Sequence, residues 1–393
     1  MSARLPEPSA EALAHSRRLA GHVAAEIAAR GPVPFSRFME LLLYAPGLGY
    51  YSAGSRKFGA EGDFVTAPEL GPAFAHGLAH CLASAMAGDG DWDLLEAGGG
   101  SGALAADLLQ ALAARDALPR RYRLLEISAD LRERQRGRIA ARCPQWLDRV
   151  DWLDQPPRSP WRGAVVANEV IDALPATRFA LRDDGLYEQF VGGGPERFEW
   201  LEQPASPALA AQIRKRLGDD LDALPRPYRS EIHLSLQPWL AALTGSLQQG
   251  LALFVDYGYP RPVYYSPERL DGTLVCHYRH HAHGDPLHLP GLQDITAFVD
   301  FTAVAEAALA CGLDVAGYTS QAQFLLGNDI QGYLASLDAL PFATRLNRVG
   351  AVKTLMLPGE MGERFQVMAL SRRLDAARLH GFDADLRYQL QPR

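Results

Sequence analysis

Leu94-Leu95-Glu96-Ala97-Gly98-Gly99-Gly100-Ser101-Gly102 is the stretch that decides the fold. An apolar run starting at Trp92 ends in the acidic Glu96, four glycines fall between positions 98 and 102, and a helical pattern opens at Ala103. That order reads as buried strand, tight turn and helix N-terminus, the layout of a nucleotide-type cofactor site in a Rossmann-like sheet. Glycines let the backbone approach a ligand and take positive φ without a Cβ penalty.

Periodicity outward from this turn supports an α/β fold. A helix is expected over 103–115, strands over 122–126 and 150–153, a helix over 129–143 between them, and a fourth core strand over 163–167. Alternation of this kind argues for a parallel sheet with helical crossovers. It breaks at 178–201, where alternating segments around Gly192-Gly193-Gly194 suggest a hairpin excursion. Helices are expected over 206–217 and 234–248, and a fifth core strand over 250–255. The stretch 259–293 shows no clear periodicity and reads as a long functional loop. A helix over 302–311 stops at Gly312, with Asp300 ahead of it as an N-cap. Segments 313–318 and 365–371 would finish the sheet as a hairpin pair. The expected organisation is a helical extension and loop over 1–90, the first part of the core over 91–177, an insertion over 178–249, and the rest of the core over 250–393.

With 393 residues, 48% hydrophobic and 22% charged, the chain can bury a large core. A net charge of −7 disfavours a general nucleic-acid binder and allows a cationic substrate. The four cysteines, Cys81, Cys143, Cys276 and Cys311, form no Cys-x-x-Cys pair, so free thiols in a reducing compartment are expected. No apolar run reaches the ~18 residues of a membrane span. The Ala- and Arg-rich stretch 10–30 has some character of a transit peptide, but Glu7, Glu11 and Glu26 count against that. It reads as a structural helix of a cytoplasmic protein.

Two cofactors fit the turn. Gly98-x-Gly100-x-x-Ala103 satisfies the dinucleotide fingerprint, and Glu96-x-Gly98-x-Gly100-x-Gly102 satisfies the pattern of S-adenosylmethionine (SAM) sites. A pyrophosphate wants backbone N–H groups and positive potential. SAM carries a sulfonium and an ammonium, so the charge of Glu96 favours it. Glu126, ending the next strand, can accept both ribose hydroxyls of either cofactor. After the fourth strand comes Asn168-Glu169-Val170-Ile171-Asp172-Ala173-Leu174-Pro175, at the carboxyl end of the sheet where ligands sit. The spacing of Glu169 and Asp172 would let them share one side of a helical turn, and Asn168 offers a donor and an acceptor.

Together with Gly62-Asp63-Phe64-x-Thr66-Ala67-Pro68-Glu69, Asp256-Tyr257-Gly258 and Gln293-Asp294-Ile295-Thr296, these motifs resemble the MidA family of class I SAM-dependent methyltransferases. The resemblance runs from about residue 35 to 371. It departs at position 99, glycine where the family usually has proline, which loosens the turn. It implies a Rossmann-like methyltransferase core with added elements, and the family's mitochondrial member methylates an arginine of a respiratory complex I subunit. On that reading the cofactor is SAM, held by Glu96, Gly98, Gly100, Gly102, Glu126, Asn168, Asp63 and Thr66. A guanidinium stays charged at neutral pH, so carboxylates must orient it and receive its proton. Glu169 and Asp172 lead the candidates, followed by Asp256 and Asp294, with Asp63 in reserve. The expected partner is an arginine-bearing protein, not nucleic acid or a membrane; a homodimer is one arrangement left open. A methyltransferase of a small acceptor, an NAD-dependent oxidoreductase and a non-catalytic SAM-binding assembly factor are the rival readings.

Cys276-His277-x-x-His280-His281-x-His283, with His288 nearby, matches no standard zinc spacing; His280 or His281 is better read as a cleft residue able to help accept a proton. Tyr50 and Tyr51 read as packing residues.

Overall fold

All five residues of the strand Asp93–Ala97 (β1) are buried, as the middle of a parallel sheet covered on both faces demands. In the computed structural model, which describes residues 5–53, 65–88 and 90–391, six further strands extend the sheet around it. They are Arg121–Leu125 (β2), Val150–Leu153 (β3), Trp161–Asn168 (β4), Leu247–Tyr259 (β5), Asp314–Ser320 (β6) and Phe365–Arg372 (β7). Their spatial order is β3-β2-β1-β4-β5-β7-β6. The first five pair in parallel, and β7 lies antiparallel between β5 and β6. A two-residue strand, Val299–Asp300, adds to the end of β5. The chain runs outward from β1 to β3, then returns to the other side of β1 as β4. That reversal is the switch point where an open α/β sheet offers a crevice beyond its carboxyl ends.

Three helices matter for the crevice: Pro72–Ala85 (α1), Ala103–Ala113 (α2) and Ala129–Arg142 (α3). Nearly all of α2 is alanine and leucine, strong helix formers that bury without polar cost. Its one buried charge, Asp107, is paired by Arg142 of α3, which ties the two helices together. In α3, Ser128 caps the N-terminus by accepting from the Leu131 N–H.

Contacts divide the chain into two units. The first takes the described residues before 54 with 172–236 and 262–298; the second takes 65–171, 237–261 and 299 onward, including the sheet above. In the first unit, the helices Ala10–Arg30 and Phe35–Tyr44 precede an antiparallel sheet of Thr177–Arg182, Gly185–Gly194, Arg197–Pro204 and Tyr228–Ile232, edged by Val33–Pro34. The expected excursion at 178–201 is therefore a meander of three strands, with the two-residue loop Pro195–Glu196 joining the last pair.

Three expectations need correction. The closing strands β6 and β7 pair antiparallel but are not a hairpin, because helices over 321–364 intervene between them. The stretch 259–293 is not an open loop: Val275–Tyr278 and His281–His283 pair as a hairpin, and Asp294–Thr296 joins as its third strand. Strands of three or four residues are too short to show a period. The helix expected over 234–248 is Leu236–Thr244, because Leu247 already pairs with Trp161 of β4 and the ladder overrides helical spacing. Both the Asp300 cap, accepting from the Ala303 N–H at 3.1 Å, and the stop at Gly312 with φ of +72° are present.

Candidate active site

The turn after β1 passes through left-handed backbone at Gly98, Gly100 and Gly102, with φ of +69°, +48° and +81°. Space is as restrictive as torsion. A Cβ on Gly98 would lie 2.7 Å from Cγ2 of Val170, and one on Gly102 would lie 2.9 Å from Cα of Gln135. At Gly99 a Cβ would meet Cδ2 of Leu124 at 2.6 Å, so this chain's turn sits close against β2. Gly102 begins α2 without a side-chain cap, leaving first-turn N–H groups without intrahelical partners.

Two carboxylates lie at the ends of β1 and β2. Glu96 is 2% exposed, and Tyr122 donates to its Oε2 at 2.5 Å. Burial pushes its pKa up to about 7; the Tyr122 hydrogen bond opposes that shift and the Glu126 charge adds to it. Glu126 is 8% exposed and accepts from the Ser128 N–H at 2.8 Å and from the Gln135 amide at 3.3 Å. Burial raises its pKa as well, against the lowering by those donors. Beside it Ile127 is 73% exposed, an apolar side chain in water.

A polar brace holds the turn from outside. Thr66 is buried, and its carbonyl accepts the Glu69 N–H at the start of the single turn Ala67–Leu70. The Glu69 carboxylate then accepts from the Ser101 hydroxyl and, at 2.9 Å, from Arg138 of α3. Glu69 stands in a quoted motif, yet nothing in its spacing announces this contact.

The segment after β4 is not the helical turn expected for Glu169 and Asp172. Glu169 takes φ of +53°, a left-handed conformation costing about 1–2 kcal/mol in a residue with a Cβ. Backbone reversed this way cannot place positions 169 and 172 on one helical face. The turn is fastened from β5. Oδ2 of the buried Asp256 accepts the N–H groups of Val170 at 3.3 Å and Ile171 at 3.0 Å, while Oδ1 accepts that of Tyr257 at 2.9 Å. Glu169 itself donates its N–H to the Val255 carbonyl and receives a side-chain hydrogen bond from Asn168 at 2.9 Å. The other end of the Asn168 amide, Oδ1, is buried with no hydrogen-bond partner among the described residues. Val170 packs directly on Gly98, so Glu169 flanks the glycine turn.

Asp172 and Asp294 belong to the first unit. Both are buried, and the Asp172 carbonyl accepts the Ala297 N–H. Tyr51 donates to Oδ1 of Asp294 at 2.9 Å and stacks on Tyr44 at 5.6 Å between ring centroids. Desolvation, then the charges of Asp294 and Asp172, hold the Tyr51 phenol well above its ordinary pKa. So Tyr51 does more than pack. Among the histidines, His280 sits exposed at the hairpin turn, where Arg279 and His280 both have positive φ. Asp63 lies outside the described residues.

A ligand for the second unit's crevice must suit two buried carboxylates and an unpaired amide oxygen, all acceptors. Ribose hydroxyls and an ammonium meet that demand; a pyrophosphate does not. The residues present therefore fit SAM.

Comparison with known proteins agrees. Residues 75–319 match a family model described as "Putative S-adenosyl-L-methionine-dependent methyltransferase". A Burkholderia thailandensis protein whose crystal structure holds S-adenosyl-homocysteine is 43% identical, covering 97% of this chain and 98% of that one with a TM-score of 0.91. Among curated relatives, the Drosophila melanogaster protein named "Protein arginine methyltransferase NDUFAF7 homolog, mitochondrial" is 28% identical over 95% of this chain and 89% of its own length. The mouse "Protein arginine methyltransferase NDUFAF7, mitochondrial" is 28% identical over 92% and 85%. These names overturn the cytoplasmic expectation. Free thiols report reducing conditions, which the mitochondrial matrix shares with the cytoplasm, so the cysteines could not separate the two. By its sheet, its glycine turn and its sequence, the chain belongs to this family of SAM-dependent methyltransferases.

Proposed function

We propose that this methyltransferase acts on an arginine side chain of a protein substrate, with Glu169 as the carboxylate at the reacting end. One observation carries the assignment of Glu169: a non-glycine residue kept in left-handed backbone, beside the glycine turn, by hydrogen bonds from a different strand. Backbone strain maintained by dedicated contacts marks a position selected for something other than stability. The names of the curated relatives support arginine as the acceptor.

SAM supplies an electrophilic methyl group when bound. The glycines at 98, 100 and 102 give it backbone to lie against, Glu126 the acceptors for ribose hydroxyls, and Glu96 and the Asn168 amide oxygen partners for its cationic amino-acid end. Thr66 acts through the Glu69 brace. Ile127 offers an apolar face beside Glu126 suited to a purine.

A guanidinium keeps its charge near neutrality, so the protein must orient one nitrogen and draw positive charge away from it. A carboxylate does both through charge-assisted hydrogen bonds and takes the departing proton. Glu169 fills that role, its Oε1 fixed by Asn168. Asp256, with both oxygens engaged by backbone N–H groups, holds the turn that presents Glu169. Asp172 and Asp294 are buried on the first unit, where Tyr51 donates to Asp294. Proximity and alignment of the reacting groups carry most of the acceleration.

The test is incubation with methyl-labelled SAM and a protein lysate, then hydrolysis and amino-acid analysis. Label in methylarginine supports the proposal. Label on another residue, or on small molecules only, replaces the acceptor; SAM bound with no label transferred favours a non-catalytic assembly factor.

A further inference from the structure

The Gln135 side chain lies at the junction of both cofactor elements and belongs to none of the motifs above. It projects from α3, is fully buried, and uses both ends of its amide. Nε2 donates to the Gly100 carbonyl at 3.0 Å and to Oε2 of Glu126 at 3.3 Å. Oε1 accepts from the indole N–H of Trp152 on β3 at 2.9 Å. Its own backbone fills the space beside Gly102, where a Cβ would be 2.9 Å from Gln135 Cα.

These contacts form a chain of consequence. An indole nitrogen only donates, so Trp152 fixes which end of the amide is oxygen. The two N–H groups of Nε2 are thereby aimed at the glycine turn and at the carboxylate. One group spans the carboxyl ends of β1 and β2, the two strands whose ends must be in register for one ligand to touch both. A buried amide that lost either partner would leave a polar group unsatisfied, so the arrangement resists rotation.

From this geometry we infer that Gln135 is a positioning residue for the cofactor, locking the glycine turn to the Glu126 carboxylate so that both meet the nucleoside together. The inference rests on the reading of Glu126 as the ribose acceptor. Gln135 does not touch the reacting atoms, so its loss acts on cofactor affinity and on KM for SAM, with kcat at saturating SAM nearly unchanged. Trp152 acts through Gln135 and has the smaller effect.

The test measures S-adenosyl-homocysteine binding by calorimetry for Gln135→Met, Glu126→Gln, the double variant and Trp152→Phe. Losing a hydrogen bond to a charged group predicts weakening of about 10- to 100-fold for Glu126→Gln and about tenfold for Gln135→Met. Because they act on one contact, the double variant loses clearly less than the product of the single losses. Trp152→Phe weakens binding about threefold and carries the test if Gln135→Met fails to fold. Fully multiplicative losses overturn the inference, as does Gln135→Met binding like the parent while Glu126→Gln is weakened. Glu126→Gln binding like the parent instead removes the ribose reading, and the inference with it.

Discussion

The turns after β1 and β4 both carry the backbone through left-handed conformation, one at Gly98, Gly100 and Gly102 and the other at Glu169. In the first, glycine makes the geometry cheap, and Val170 beside Gly98 and Gln135 beside Gly102 leave no room for a Cβ. In the second, a residue with a long side chain takes the same conformation, and the carboxylate of Asp256 on the neighbouring strand holds it there. On the proposed reading, the first turn clears space for a ligand and the second presents a functional group to it. A glycine at position 169 would relieve the strain and remove the group, so the strain is the cost of placing a carboxylate there.

The largest effect expected from this contrast comes from Glu169→Gln. It keeps shape and hydrogen bonding but removes the charge and basicity, so kcat should fall by about 10²- to 10⁴-fold. SAM affinity should stay within about twofold, since the turn after β1 is untouched. Steady-state kinetics with a separate binding isotherm checks both, and unchanged turnover would break the contrast at its centre.

Next in size, Asp256→Ala strips the acceptor from three backbone N–H groups around the β4 turn. It should cost about 2–3 kcal/mol of stability by denaturant unfolding and lower kcat by displacing Glu169. A loss of kcat with full stability would mean that Asp256 reacts rather than holds.

The turn after β1 can be probed by pH. Burial holds the Glu96 pKa at about 7 in place of 4.5, so the protonated form suits the empty site. Its contribution to stability is fully present below pH 4.5 and lost as pH rises through about 7. A cationic ligand favours the carboxylate, so SAM should bind roughly tenfold more tightly at about pH 8 than at about pH 6. Glu96→Gln should remove that slope. A slope unchanged by Glu96→Gln would assign the titration elsewhere.

The smallest effect is on stability: Glu169→Gly should raise it by about 1 kcal/mol in chemical unfolding. Destabilisation would show that the left-handed backbone is not strained.

The same contrast explains what the sequence made legible. The β1 turn is local: an apolar strand, glycines and a helix pattern within eleven residues, each with its own short-range chemistry. The sheet was legible for the same reason, its central strands β4 and β5 carrying the short apolar runs Ala164-Val165-Val166-Ala167 and Leu251-Ala252-Leu253-Phe254-Val255. Glu169 could be named from its motif, but its conformation could not, because the residue fixing it lies 85 or more positions away on β5. The Glu69, Gln135 and Tyr51 contacts are of that long-range kind too. So are the short strands within 259–293, whose backbone partners, not their side-chain pattern, make them strands.

The most direct measurement is the crystal structure of the protein with S-adenosyl-homocysteine. The ribose hydroxyls should rest on Glu126, and the sulfur should face the end of β4, with room between it and the Glu169 carboxylate for a guanidinium that donates to that carboxylate. A complex with the sulfur turned away from the end of β4, and Glu169 remote from it, would contradict the account.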